Sequence, residues 1–217
     1  MSLNAQLRAG APPIVAILRG VRPDEALDIG IALLDAGIRL IEVPLNSPQP
    51  FVSIGRLAAT LGERALIGAG TVTTADAVDA VVAAGGRLIV APNTDPSVIR
   101  RATAHGLDAL PGVMTPTEAF AAIAAGARDI KLFPGGSTGP AHVRALREVL
   151  PVDCRVWAVG GVDASNLGQW MQAGASGVGV GGSLYRPGSS AAVVRELAAK
   201  LVAAWGASQT QRAAPVQ

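Results

Sequence analysis

The hexapeptide Asp129-Ile130-Lys131-Leu132-Phe133-Pro134 has the character of a short buried β-strand, closed by a proline, with a lysine at its centre. Burying an unpaired ammonium is costly enough that such a group usually lowers its pKa and gives up the proton. Of the 18 Lys and Arg residues, only Lys131 and Lys200 are lysines. Arginine stays charged and cannot serve as an amine nucleophile, whereas lysine can. One of two lysines therefore stands where a lysine is hardest to accommodate. A snorkelling or salt-bridged lysine is the alternative for the strand taken alone, and the surroundings decide.

Working outward, the strand follows a helix ending at Ala125-Gly126 and precedes one starting near Gly139-Pro140 and ending before Pro151. The same βα unit recurs along the chain. Apolar strands are expected at Ile14 to Leu18, Leu40 to Pro44, Leu66 to Gly70, Leu88 to Ala91, Asp108 to Leu110, Val156 to Val159 and Gly177 to Val180. Their starts fall about 19 to 27 residues apart, the length of a strand, a helix and two short loops. Helix starts are marked by Pro23-Asp24-Glu25, Ser47-Pro48, Thr73 with Asp76, Asp95-Pro96, the capping box Thr115-Pro116-Thr117-Glu118, and Asp163. Ala36-Gly37, Ala84-Gly85, Ala125-Gly126 and Ala173-Gly174 repeat one helix-ending signal, glycine supplying the left-handed turn.

Near-continuous apolar strands alternating with helices imply a parallel sheet covered on its outer face. Eight units predict a single α/β domain, a (β/α)8 TIM barrel over residues 1–217, with a core from about 13 to 205. The opening residues to Pro12-Pro13 are expected as an arm, the last helix as Ala191 to about Ala204, and 206–217 as a disordered tail. An open doubly wound sheet is disfavoured because Arg19-Gly20-Val21-Arg22 replaces the dinucleotide fingerprint after the first strand.

Composition narrows the function classes. Half the chain is hydrophobic and the net charge is +2, with no basic run interleaved with aromatics, which argues against nucleic acid. No run approaches the roughly 18 apolar residues of a membrane span, and the opening lacks a signal-peptide core, so a reducing cytoplasm is expected. The single Cys154 excludes an internal disulfide. His105 and His142 lie away from the strand ends and no ligand spacing is present, so neither a metal nor a cofactor is expected.

In a barrel of this type the reactive groups collect at the C-terminal strand ends. Arg19, Glu42, Thr71, Asn93 and Lys131 all fall there. If Lys131 and Glu42 face the axis, their apolar neighbours Ile130, Leu132, Ile41 and Val43 face the helices. Their strands, the sixth and the second, lie opposite each other, so a carboxylate and an amine can approach across the mouth. A structural buried ion pair is the alternative, although such pairs are often no more stable than apolar packing. Gly160-Gly161 and Gly181-Gly182-Ser183 follow the last two strands, where backbone N–H groups often hold a phosphate. An amine, a carboxylate and a phosphate cradle point to Schiff-base chemistry on a phosphorylated keto compound.

The segments AILRG from Ala16, IEVPLNSP from Ile41, GAGTV from Gly68, IKLFP from Ile130 and AVGGV from Ala158 resemble the class I aldolases of 2-keto-3-deoxy-6-phosphosugar acids. The likeness runs in order from about Pro13 to Tyr185. It implies a metal-independent barrel, usually a homotrimer, acting on a phosphorylated keto sugar acid to release pyruvate and D-glyceraldehyde 3-phosphate. On the matching positions Lys131 is the Schiff-base lysine and Glu42 the general acid/base. Arg19, Thr71, Asn46, Phe133 and Val159 fall at substrate-binding positions, and Gly160, Gly161, Gly181 and Ser183 in the phosphate loops. The gluconate-derived branch tends to carry EVTLRTP and Thr-Gly-Gly, where this chain has Asn46 and Val159. Loss of a hydroxyl near C4 favours the galactonate-derived epimer. The alternatives are the gluconate epimer, cleavage of 4-hydroxy-2-oxoglutarate, and a non-catalytic barrel that only binds phosphosugars.

Overall fold

Alternating apolar strands and capped helices close here into a barrel. The structure is a computed structural model that describes residues 2–213; of the disordered tail expected over 206–217, residues 206–213 are helical and 214–217 lie outside the described residues. Nine strands run in the order β5-β4-β3-β2-β1-β9-β8-β7-β6. They are β1 (Ile14–Ile17), β2 (Leu40–Pro44), β3 (Leu66–Gly70), β4 (Leu88–Val90), β5 (Asp108–Leu110), β6 (Gly112–Val113), β7 (Asp129–Leu132), β8 (Arg155–Val159) and β9 (Gly177–Val180). Every pairing is parallel. The two ends of this order, β5 and β6, are separated in the chain by Pro111 alone. Leu110 accepts from Ala91 N on one side and Pro111 accepts from Lys131 N at 2.8 Å on the other, so one broken stave closes the ring. A proline has no N–H for the ladder, which is why the fifth strand of the sequence reading is two short pieces.

Helices α1 (Leu3–Arg8), α2 (Pro23–Asp35), α3 (Pro50–Leu61), α4 (Ala75–Ala83), α5 (Pro96–Ala104), α6 (Pro116–Ala124), α7 (Gly135–Thr138), α8 (Pro140–Val149), α9 (Leu167–Gln172) and α10 (Ala191–Ala213) complete the chain. The glycine signal holds at all four places: Gly37, Gly85, Gly126 and Gly174 have φ of 97°, 84°, 109° and 96°. The Thr115–Glu118 capping box forms, and Asp95 caps α5.

Several boundaries differ from the sequence reading. Thr74, not Thr73, accepts the capping bond of α4, from Ala77 N. The helix expected at Ser47-Pro48 starts at Pro50, and the one expected at Asp163 starts at Leu167. Asp163 instead accepts from Ser165 and Asn166 in a tight turn before that helix. The four-residue α7 was not expected. The last helix does not stop near Ala204 but continues through Ala213, with Trp205 packed on the core and Ser208 buried.

The opening residues are likewise no loose arm, and the core begins before position 13. Ser2 caps α1, Leu3 N donates to Asp108 Oδ2 at 2.6 Å, and the Leu3 side chain is fully buried. It packs with Val15, Leu40, Leu66, Leu88, Val90, Leu110 and Trp157, a cluster inside the barrel and distinct from the larger one between strands and helices. Gly177 makes the room for the Trp157 ring, since a β-carbon there would stand 2.3 Å from Cζ3. Below the indole, Asp129 accepts from Trp157 Nε1 and from Arg155 Nε and Nη2, each at 2.7 Å. The N-terminal end of the barrel is thus filled and sealed. Open space and reactive groups are left to the other end.

Candidate active site

Alternation along the strands decides which side chains reach the barrel axis. In β7 the apolar Ile130 and Leu132 pack outward in the main core, which turns Asp129, Lys131 and the following Phe133 inward. In β2, Ile41 and Val43 pack outward and Leu40 inward, which places Glu42 on the inner face. From β2 the order passes through β1, β9 and β8 to β7, and through β3, β4 and the broken stave the other way. The two strands therefore stand diametrically opposed, as the alternation argument requires.

Both groups are buried, Glu42 to 2% exposure and Lys131 to 6%. Burial raises the Glu42 pKa to about 7, against the opposing pull of the Lys131 and Arg19 charges. Burial also lowers the Lys131 pKa; Glu42 works the other way, and the Arg19 charge adds to the lowering. Glu42 Oε2 has no hydrogen-bond partner, and neither group joins an ion pair among the described residues. A tight salt bridge would hold both groups permanently charged. Burial instead holds the carboxyl well above the usual carboxylate range, in the region where a group can move protons both ways. Lys131 Nζ instead lies 4.6 Å from the centroid of the Phe133 ring, a contact available to the charged amine, so the lowering of its pKa comes from burial and not from the ring.

Room for Glu42 comes from β3. A β-carbon on Gly70 would lie 1.4 Å from Glu42 Oε2. Glycine here is a packing requirement of the carboxylate.

A cleft of about 380 Å³ opens over this end of the barrel. Its wall includes Arg19, Lys131, Phe133, Val159, Gly160, Gly161, Gly181 and Ser183, so eight of the sequence-derived site residues converge. Glu42 lies one level deeper, bounding a small void whose other walls include Ile17, Val159 and Gly179, which also line the cleft above. Thr71 and Asn46 do not line the cleft. Thr71 follows β3 with φ of 57°, a strained conformation for a non-glycine residue. Asn46 accepts a hydrogen bond from Arg19 Nη1 at 2.7 Å. Asn93 borders a separate small void near α5 and is not brought to the cleft.

The far side of the cleft is a backbone cradle. Gly160 and Gly161 have φ of 102° and 73°. Ser183 Oγ donates to Val162 O at 2.7 Å and ties the two loops together. Among the described residues the N–H groups of Gly161, Gly182 and Ser183 have no protein acceptor, and backbone donors of this kind suit an anion. Asp163 also lines the cleft, but its carboxylate is held by the Ser165 hydroxyl and backbone, which keeps its pKa low. Sequence reasoning missed Ile17, Gly70, Gly179 and Asp163. The first and third follow from extending the inward alternation of β1 and β9; Gly70 follows from asking what must be small beside an inward Glu42.

The two histidines stay outside this site: His105 Nε2 lies 2.8 Å from Asp79 Oδ1, and His142 Nε2 lies 2.7 Å from Met114 O. The family model described as KDPG and KHG aldolase matches residues 4–198. The chain belongs to the KDPG and KHG aldolase family. It is an aldolase, a carbon–carbon lyase. It is 49% identical over 193 residues to the 2-dehydro-3-deoxy-6-phosphogalactonate aldolase of Escherichia coli (strain K12), covering 89% of this chain and 94% of that one. A native KDPGal structure superposes with a TM-score of 0.90 at 47% identity, over 91% of this chain and 96% of that one. A cube-shaped cage designed by fusing symmetric oligomeric domains contains a similar chain, with a TM-score of 0.92, 48% identity and coverage of 93% and 74%. In this aldolase no helix among the described residues is long and apolar enough to cross a membrane.

Proposed function

We propose that this aldolase cleaves 2-dehydro-3-deoxy-6-phospho-D-galactonate to pyruvate and D-glyceraldehyde 3-phosphate through a Schiff base on Lys131. The observation that carries the proposal is a buried lysine with a lowered pKa, set beside an anion-binding cradle and opposite a buried carboxyl poised near neutrality. The neutral Lys131 amine adds to the C2 ketone, and loss of water gives an iminium that accepts electrons. Glu42, directly or through a water, takes the proton of the C4 hydroxyl as the C3–C4 bond breaks. The aldehyde product leaves, the remaining enamine is protonated at C3, and hydrolysis of the imine releases pyruvate and restores the amine. Arg19 offers its guanidinium to the substrate carboxylate, and the glycine loops offer N–H groups to the phosphate.

The choice of epimer rests on Val159 and Asn46 and on the activity named for the Escherichia coli relative. Val159 is buried in the cleft wall and presents methyl groups to the substrate, leaving a C4 hydroxyl no side-chain partner at that position. A homotrimer in a reducing cytoplasm completes the proposal; the oligomeric domains of the similar designed cage support an assembly. The test is pyruvate release from the galactonate- and gluconate-derived substrates in parallel. A higher kcat/KM for the galacto epimer supports the reading, equal values remove the C4 argument, and no pyruvate from either contradicts the reaction itself.

A further inference from the structure

Two hydrogen bonds tie the loop after β1 to the loop after β2. Arg19 Nη1 donates to Asn46 Oδ1 at 2.7 Å, and Gly20 N donates to Ser47 Oγ at 2.9 Å. Ser47 is buried to 7% exposure, so the second bond is a fixed point rather than a surface contact. The loop carrying both acceptors is itself constrained: Gln49, three residues after Asn46, adopts φ of 44° before Pro50 opens α3. A non-glycine residue held in the left-handed region persists only where its surroundings enforce it, which marks a loop with one required shape.

Arg19 lines the cleft beside Lys131, whereas Asn46 is exposed and absent from the cleft wall. The amide thus holds one guanidinium nitrogen without forming part of the cleft wall. We infer that Asn46 is a positioning residue, which acts on the reaction by holding the Arg19 guanidinium at the cleft and does not itself touch the substrate. Arginine has a long, rotamer-rich stem, and an acceptor fixed on a neighbouring loop removes much of that freedom before the substrate arrives. One Arg19 nitrogen satisfied by Asn46 leaves the other edge of the planar fork for a carboxylate. Ser47 supports the arrangement from below by fixing the backbone immediately after Arg19. The inference rests on the function proposed above.

The experiment is a double-mutant cycle read on the half-reaction with pyruvate, by borohydride reduction of the adduct on the whole protein. Asn46→Ala is the first variant, with Asn46→Leu as a second that also lacks the acceptor, and Arg19→Met supplies the other arm. The expected result is that the pyruvate concentration for half-maximal trapping rises about tenfold in either Asn46 variant, while the rate at saturation stays within about threefold. In the Arg19→Met background the same substitutions change neither quantity by more than about twofold, because the group they act through is gone. An equal factor in both backgrounds would show that Asn46 touches the ligand itself and overturn the inference. So would unchanged trapping in the native background. Failure of the unsubstituted protein to trap pyruvate at all would overturn the proposed function and this inference with it; normal trapping with indifferent Asn46 variants overturns only the inference.

Discussion

Glu42 and Gly70 share one volume: the carboxylate lies over the glycine so closely that a β-carbon would stand 1.4 Å from Oε2. The two sit on adjacent strands, and the glycine is what allows a full-length acidic side chain to be buried on the inner face of the barrel. Gly70→Ala is expected to drive the carboxyl out of place with little change to the backbone, since the position does not have a positive φ. A displacement of about 1 Å in a catalytic group costs roughly 10²-fold in rate. We expect kcat to fall by about that factor with a stability loss of about 1–3 kcal/mol. Steady-state kinetics beside thermal unfolding check it, and near-normal kcat in a folded variant contradicts the role of Glu42.

The same carboxyl makes stability depend on pH. Its folded pKa of about 7 lies above the ordinary value of 4.5. The folded protein therefore holds this proton more tightly than the unfolded chain, so the stability it contributes is complete below pH 4.5 and is lost as the pH rises through 7. Glu42→Gln carries no such proton, and its Tm should gain on that of the native protein between pH 5 and pH 8. The shift corresponds to about 3 kcal/mol at most. A Tm difference that does not vary with pH would place the carboxyl elsewhere.

Val159 presents methyl groups where a threonine would present a hydroxyl. Val159→Thr conserves shape, and Gly179 opposite it leaves the room, its absent β-carbon falling 2.8 Å from Val159 Cγ2. The variant should raise kcat/KM for the gluconate-derived epimer relative to the galactonate-derived one by about tenfold, roughly one hydrogen bond. Measuring both epimers on both proteins tests it; an unmoved ratio takes C4 recognition away from this position.

At the other end of the barrel, Asp129 satisfies Trp157 Nε1 and both parallel donors of Arg155. Asp129→Ala leaves the buried Trp157 Nε1 without an acceptor and takes the carboxylate from the part-exposed Arg155, which keeps Asn4 Oδ1, at a cost of about 1–3 kcal/mol. Because this network lies below the packed Trp157 layer, kcat measured well under the melting temperature should stay within about threefold. Chemical denaturation and kinetics on the same preparation separate the two effects. A collapse of kcat with stability intact would mean that the floor and the site are coupled.

Much of this was legible in the sequence, and the reason is periodicity. The strands that supply Lys131 and Glu42 read as apolar on one face, so their inward direction and opposed placement follow from counting staves. The glycines after β8 and β9 could be assigned to one end of the barrel in the same way. What escaped depends on partners distant in the chain. The α1 plug rests on Leu3 and a bond to Asp108 more than a hundred residues away, too few apolar positions to show a pattern. The polar stretch after Trp205 gives no helical stripe, yet α10 continues because Trp205 and Ser208 pack. The Arg19–Asn46 bond joins two loops whose geometry no local spacing encodes. The split of the fifth stave was written in Pro111, which removes one N–H from a strand already expected to be short.

The most direct measurement is reduction with borohydride in the presence of pyruvate, followed by peptide mapping of the modified lysine. The chain has two candidates, Lys131 buried in the cleft wall and Lys200 exposed on α10 and bonded to Glu196 at 2.7 Å. The account predicts a single reduced adduct on Lys131, absent from Lys131→Met. An adduct on Lys200, or none at saturating pyruvate, would contradict it.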